Sequence, residues 1–204
     1  MGFLSVLSYG QQIVKERVQP GDRVIDATMG TGVDTLFLAR LVGPRGEVAA
    51  FDIQAEALGL TRQRLRSALG VDGGAQASLH LASHAEMRGA LPPSWHGATA
   101  AVMFNLGYLP TVEADKRIMT APSTTLAALD AALTLLRPGG VLSVVLYPGH
   151  EGGDREADAV RAWAEALPAA LGQAVVYRML QRPEAPYVIG VEKRSARAGL
   201  PNQR

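Results

Sequence analysis

Residues 23–35 read RVIDATMGTGVDT, a pattern typical of a buried strand that runs into a glycine loop and then a helix. The apolar residues of 23–27 predict the strand, and the spacing after the loop predicts a helix over 33–41. Gly30 and Gly32 let the backbone turn sharply and approach a ligand closely. The free N–H groups at the start of the helix favour an anion. A plain tight turn with a helix cap is the alternative interpretation.

The alternation of strand and helix continues along the chain. Further strands are predicted at 47–51, 77–81, 99–104, 141–147, 174–180 and 187–193, and further helices at 3–18, 54–69, 84–90, 123–136 and 155–167. This order predicts an α/β, Rossmann-like fold with a mostly parallel seven-stranded sheet and helices on both faces. The last two strands have no helix between them and predict an antiparallel terminal hairpin. We expect one domain over 1–194 and a disordered tail over 195–204.

Composition excludes several classes of protein. The chain has 204 residues, 48% of them hydrophobic, with a formal net charge of +1 and no cysteine. A histone-like basic protein, a disulfide framework and a thiolate nucleophile are therefore excluded. No apolar run reaches the roughly 18 residues of a membrane span, and the N-terminus lacks the basic start of a signal peptide. We expect a cytoplasmic protein that binds no membrane, with a homodimer left open.

Acidic residues follow the first two predicted strands, where ligands bind in sheets of this kind. Asp26 ends the first strand and could face a cationic ammonium. Asp52 ends the second, 20 positions beyond Gly32, where an acid accepts hydrogen bonds from the hydroxyls of a ribose. A turn-starting Asp is the alternative for Asp52, and Gln54 either borders the ribose or starts its helix. A dinucleotide fingerprint would have a third glycine where Thr35 stands, so the pattern favours another nucleoside cofactor.

The later strand ends carry side chains suited to a base and an amine. Ser83 and His84 follow the third strand, where an adenine edge would be read, although Ser83 with Glu three residues later is equally a capping box. Asn105 and Tyr108 follow the fourth strand; an amide can hold an amine, and a tyrosine ring can stack on a base. An Asx turn is the alternative there. His150, after the fifth strand, either takes a proton or is a surface residue.

The segments DATMGTG, FDIQ, NLGYLP, TTLAALDAALTLLRPGG and YPGHEGG occur in this order and resemble the bacterial rRNA-methylase-like family. Its members are class I S-adenosylmethionine-dependent methyltransferases. The resemblance implies that S-adenosylmethionine is the cofactor and that the amine of a 5-aminomethyl-(2-thio)uridine at the tRNA wobble position is methylated. It implies a donor site formed by Asp26, Gly30, Thr31, Gly32, Asp34, Asp52, Gln54, Ser83 and His84. It places Asn105, Tyr108 and His150 at the acceptor site.

The chain departs from the family pattern at a few positions. Thr31 and Val33 stand where the family often has Asn and His, and the loop 111–116 is two residues longer than usual. The changed loop leaves open an rRNA or a small-molecule amine as the acceptor. A non-catalytic nucleotide-binding module and an oxidoreductase are further alternatives. No metal is expected, because no His, Asp or Glu residues have ligand spacing.

Overall fold

The computed structural model describes residues 2–70, 76–107, 109, 119–149 and 152–195. Its strands are β1 (Arg23–Asp26), β2 (Glu47–Asp52), β3 (Ala77–Leu81), β4 (Thr99–Asn105), β5 (Leu136–Leu146), β6 (Gly172–Tyr177) and β7 (Tyr187–Lys193). Its α-helices are α1 (Val6–Lys15), α2 (Val33–Val42), α3 (Ala55–Leu69), α4 (Met87–Ala90), α5 (Pro122–Leu135) and α6 (Gly153–Ala166). Short 3₁₀ turns at His84–Glu86 and Pro93–Trp95 flank α4. The predicted tail lies almost wholly outside the described residues.

The seven strands form one sheet in the order β3-β2-β1-β4-β5-β7-β6. Strands β1 to β5 are parallel, whereas β7 pairs antiparallel with both β5 and β6. The predicted fold and its antiparallel terminal hairpin are confirmed. The strand order reverses between β1 and β4, and this switch point is where ligands bind in open α/β sheets.

Two core layers cover the sheet, because successive strand residues point to opposite faces. Val24 and Met103 pack with α1, α2 and α3 on one face. Ile25 and Phe104 pack with α4, α5 and α6 on the other. The strands are therefore buried on both sides, which explains why they read as continuous apolar runs.

Among the strands, β5 has the bounds that differ most from the sequence prediction, since it was expected over 141–147. Residues 137–140 read RPGG and were expected to end a helix, but β5 begins at Leu136, directly after α5. The Arg137 guanidinium donates to both carboxylate oxygens of Asp22, at 2.7 and 3.0 Å, and so ties this segment to the start of β1. The pairing with β4 shifts register between Thr99 and Ala101, which accommodates the extra residues. Within the described residues, no helix is long and apolar enough to span a membrane.

Candidate active site

A cavity of about 740 Å³ opens at the carboxyl ends of the parallel strands, beside the switch point. Eight of the predicted site residues line it: Gly30, Thr31, Asp34, Asp52, Gln54, Ser83, His84 and Asn105. Asp26 and Gly32 do not line it. Tyr108, His150 and the loop 111–116 lie outside the described residues. The structure thus brings residues from both predicted halves of the site to one cavity.

Asp52 fixes the glycine loop to the end of β2. Its Oδ2 accepts the Gly30 N–H at 3.1 Å, and its Oδ1 accepts the Gln54 N–H at 2.9 Å. Burial raises the pKa of the Asp52 carboxyl, and the backbone hydrogen bonds act in the opposite direction. Each carboxylate oxygen has further acceptor capacity, so Asp52 can also accept hydrogen bonds from a ligand in the cavity.

Gly32 is required by the packing of the loop against α3. Its φ is +79°, and a Cβ built on it would lie 2.8 Å from the Cα of Thr61. The same helix holds the rest of the loop, because Thr61 Oγ1 donates to the Gly30 carbonyl at 3.2 Å and Arg64 Nε donates to the Thr31 carbonyl at 2.6 Å. The predicted sharp turn is therefore present, but the close neighbour of Gly32 is Thr61 of α3 and not the cavity.

Asp26 lies behind the cavity wall. It is 1% exposed, and its carboxylate accepts hydrogen bonds from Thr35 Oγ1 at 2.6 Å and from the Thr28 N–H at 3.2 Å. Burial and the nearby charge of Asp34 raise the pKa of this carboxyl. Asp26 therefore fixes the turn from β1 into α2, and Asp34 is the carboxylate of this pair that borders the cavity.

Asp34 and Asn105 belong to a chain of hydrogen bonds across the cavity. Asp34 accepts from Gln11 Nε2 at 2.8 Å and from Asn105 Nδ2, and Tyr147 donates its hydroxyl to Asn105 Oδ1 at 3.4 Å. Burial raises the pKa of the Asp34 carboxyl despite these donors. A carboxylate only accepts, so Asp34 fixes the amide with Nδ2 towards itself and leaves Oδ1 as the remaining acceptor of Asn105.

His84 is a buried histidine with an unused acceptor. Burial lowers its pKa to about 4, so the ring is neutral near pH 7. The ring makes a hydrogen bond with the Ala27 backbone, and Nε2 is buried with no partner among the described residues. Ser83 Oγ accepts the Ala85 N–H at 3.2 Å and so caps the turn at His84–Glu86, although the described contacts include no reciprocal bond from Glu86 that would complete a capping box.

Several cavity residues were missed from the sequence. Gln11 lies in α1, which precedes the first strand. A search for polar residues just after each strand therefore does not find it. Tyr147 follows β5 directly, and that search could have found it. Thr120 also lines the cavity. Its N–H donates to the Gly107 carbonyl, and its Oγ1 accepts the Gly107 N–H, both at 2.9 Å. Buried Glu156 accepts the Thr120 hydroxyl at 2.6 Å.

A family model described as "Putative rRNA methylase" matches residues 48–192, well over half of the chain. The chain belongs to this rRNA methylase family. The resemblance found in the sequence is thereby confirmed.

Curated and solved relatives extend the rRNA methylase likeness over nearly the whole chain. The tRNA (mnm(5)s(2)U34)-methyltransferase, chloroplastic, of Arabidopsis thaliana is 40% identical over 182 residues, which are 87% of this chain but only 65% of the relative's length. A "putative rRNA-methylase" from Clostridium thermocellum has 34% identity and a TM-score of 0.87, covering 95% of this chain and 100% of its own. A "putative methyltransferase" from Streptococcus mutans, solved in complex with SAH, has 30% identity and a TM-score of 0.81, covering 94% and 99%.

Among the described residues there is no group of three or more His, Cys, Asp or Glu side chains that could hold a metal ion. The polar side chains of the cavity are instead carboxylates, hydroxyls and amides, which include those of Asp34, Asp52, Tyr147 and Asn105. Such a set suits an organic ligand with hydroxyl and amino groups.

Proposed function

We propose that this rRNA methylase family member is an S-adenosylmethionine-dependent methyltransferase. Its proposed acceptor is the amine of 5-aminomethyl-(2-thio)uridine at the wobble position of tRNA. The observation that carries the proposal is the continuous cavity at the switch point. It joins the glycine loop and Asp52 on one side to Asn105 and Tyr147 on the other. One cavity can therefore hold a nucleoside cofactor and an acceptor next to each other.

The donor side fits S-adenosylmethionine by the chemistry of its acceptors. Asp52 has carboxylate lone pairs for ribose hydroxyls, and Ser83 and neutral His84 line the same cavity, where the sequence predicts the adenine. Asp34 places a carboxylate along the wall, which favours a cationic group nearby. A volume of about 740 Å³ lies in the usual range for cofactor sites of about 300–1,000 Å³. The SAH complex of the Streptococcus mutans relative supports the same donor.

On the acceptor side, Asn105 orients the amine. When bound, S-adenosylmethionine supplies a methyl group attached to a positively charged sulfur. Asn105 Oδ1 accepts an N–H of the amine, so the nitrogen lone pair is directed towards the donor side of the cavity. Asp34 and Tyr147 keep that amide from rotating. Most of the rate then comes from holding the reacting groups in position. Tyr108 and His150 remain predicted acceptor residues.

The tRNA acceptor rests on the Arabidopsis relative, whose name specifies the wobble uridine. The family description favours rRNA as the second candidate acceptor. The cytoplasmic location and the single domain over 1–194, both predicted from the sequence, remain proposals.

One experiment separates these acceptors. Wild-type protein is incubated with methyl-labelled donor and, in separate reactions, with bulk tRNA and bulk rRNA, and the nucleosides are analysed by mass spectrometry. We expect label in a 5-methylaminomethyl nucleoside of tRNA and none in rRNA. Label confined to rRNA would replace the tRNA acceptor. Thermal stabilisation by NAD but not by S-adenosylhomocysteine would overturn the methyltransferase itself.

A further inference from the structure

The exposed charges of the helices differ between the two faces of the sheet. On α1, α2 and α3 the exposed positively charged residues are Lys15, Arg40, Arg62, Arg64 and Arg66, and the exposed negatively charged residue is Glu56. On α4, α5 and α6 the exposed positively charged residues are Arg88, Arg155 and Arg161, and the exposed negatively charged residues are Asp130, Asp154, Asp158 and Glu165. The first face is therefore cationic, although the whole chain carries a net charge of only +1. We call it the α1–α3 face.

A groove on the α1–α3 face lies next to the cavity. It measures about 290 Å³ and is lined by Gln11, Val33, Leu36, Phe37, Arg40 and Arg64. Gln11 and Val33 also line the cavity, so the groove and the cavity share a wall. A polymer whose reacting group enters the cavity can thus continue along the groove.

The two arginines of the groove are available to an anion. Arg64 is anchored by the 2.6 Å bond from Nε to the Thr31 carbonyl, which leaves its two terminal NH₂ groups for a ligand. Arg40, in the last turn of α2, has no ion-pair or hydrogen-bond partner within the part of the chain that the structure describes. A guanidinium is the side chain best matched to phosphate, because its planar N–H groups form two parallel hydrogen bonds.

We propose that the α1–α3 face binds the phosphate backbone of the RNA whose nucleoside enters the cavity, with Arg40 and Arg64 holding phosphates in the groove. This inference rests on the proposed RNA acceptor. Phosphate contacts position a protein on RNA, while the modified base is read elsewhere. A loop nucleoside suits this arrangement, because an unstacked base can enter a cavity while its backbone stays on the surface.

The test measures the affinity for bulk tRNA as a function of salt concentration, in the presence of S-adenosylhomocysteine. Arg40→Gln and Arg40→Glu change the groove, and Arg64 is left intact because it also supports the glycine loop. Arg155→Gln and Arg155→Glu on α6 are matched controls on the opposite face. We expect Arg40→Gln to reduce the slope of log affinity against log salt by about 1, and Arg40→Glu to weaken binding further. The Arg155 variants should keep the wild-type slope.

Each other outcome has a distinct meaning. The assignment of this face is wrong if the Arg40 variants keep the wild-type slope. It is also wrong if the Arg155 variants reduce the slope as much as the Arg40 variants do. Either result can occur while wild-type protein still methylates RNA. If wild-type protein binds neither tRNA nor rRNA, yet is stabilised by S-adenosylhomocysteine, the RNA acceptor fails and this inference fails with it. Unfolding temperatures of all variants are measured to show that each is folded.

Discussion

Asp52 has two tasks in the structure, because its carboxylate holds the glycine loop and also borders the cavity. We expect Asp52→Ala to weaken the binding of S-adenosylhomocysteine by about 1.5–3 kcal/mol, the range for hydrogen bonds to a charged group. Isothermal calorimetry measures this affinity. Glu47→Ala is the matched control, since Glu47 is the exposed first residue of the same strand. Unchanged affinity in Asp52→Ala would remove Asp52 from the donor site.

His84 makes stability depend on pH in a defined direction. Its pKa is about 4 in the folded protein and near 6.5 when unfolded, so the unfolded state binds more protons between these values. The free energy of unfolding therefore falls by about 2 kcal/mol between pH 7 and pH 5 through this residue. The raised pKa of Asp26 acts in the opposite sense, so the contribution of His84 has to be isolated by comparing two proteins.

Denaturant unfolding of wild type and His84→Gln at pH 7 and pH 5 makes that comparison. The variant should lose about 2 kcal/mol less than wild type on acidification. His96→Gln, which changes an exposed histidine, should behave as wild type. Equal pH dependence in all three proteins would show that His84 is not held neutral by burial.

For single residues, the sequence predicted which strand ends border the cavity, but not which side chain at each strand end lies in the cavity wall. Asp52 and Asn105 were found because each follows a strand directly. Asp26 and Asp34 are eight residues apart, and only the turn between them decides that Asp34 borders the cavity while Asp26 is buried. Gln11 reaches the cavity because α1 packs on β5 and β7, which brings its side chain to Asp34 of α2; such a tertiary contact has no local signal in the sequence.

The junction of the glycine loop with α3 is the most tightly constrained contact between elements at the site. Gly32→Ala would place a Cβ 2.8 Å from the backbone of Thr61, at a φ of +79°. We expect a loss of about 1–3 kcal/mol in the free energy of unfolding, and loss of S-adenosylhomocysteine binding as the loop moves. Gly59→Ala is the control, because a Cβ there meets nothing within 4 Å and should stabilise α3 by up to about 1 kcal/mol. Gly32→Ala binding ligand normally would show that the loop does not depend on α3.

Glu156 ties α6 to α5 and to the acceptor side of the cavity. It is 3% exposed and accepts the hydroxyls of Thr120 and Thr125 at 2.6 and 2.7 Å. Glu156→Ala leaves both hydroxyls without this acceptor and should lower the free energy of unfolding by about 2–5 kcal/mol. Glu165→Ala, at an exposed position of the same helix, should change it by no more than about 0.5 kcal/mol. Chemical denaturation tests both, and equal effects would contradict a structural role for Glu156.

Periodicity predicted each described α-helix and strand, although several bounds differ by up to three residues. The largest difference is at β5, where Pro138 and two glycines are typical of a loop. Pairing of this segment with Thr99 of β4 and the bond from Arg137 to Asp22 override the local preference. A register shift of this kind depends on the neighbouring strand and cannot be read from one segment.

Over the whole molecule, the reversal of strand order between β1 and β4 brings together residues that lie more than 70 positions apart. Asn105 Nδ2 donates to Asp34 across this point, and the Asn105 N–H donates to Thr28 Oγ1 at 2.7 Å. The proposed donor side and the proposed acceptor side therefore meet as a consequence of the strand order. Asn105 should consequently affect methyl transfer far more than donor binding.

The role of Asn105 in methyl transfer is tested most directly by single-turnover transfer to a tRNA that carries 5-aminomethyl-2-thiouridine. Wild type and Asn105→Ala are compared at saturating donor. Wild-type protein should methylate the amine, and a tRNA with unsubstituted uridine at that position should receive no label. Asn105→Ala should bind S-adenosylhomocysteine with nearly wild-type affinity but transfer methyl groups at least about a hundredfold more slowly, because the amine is no longer oriented. Transfer by Asn105→Ala at the wild-type rate, or no transfer by a wild-type protein that binds the donor, would contradict the account.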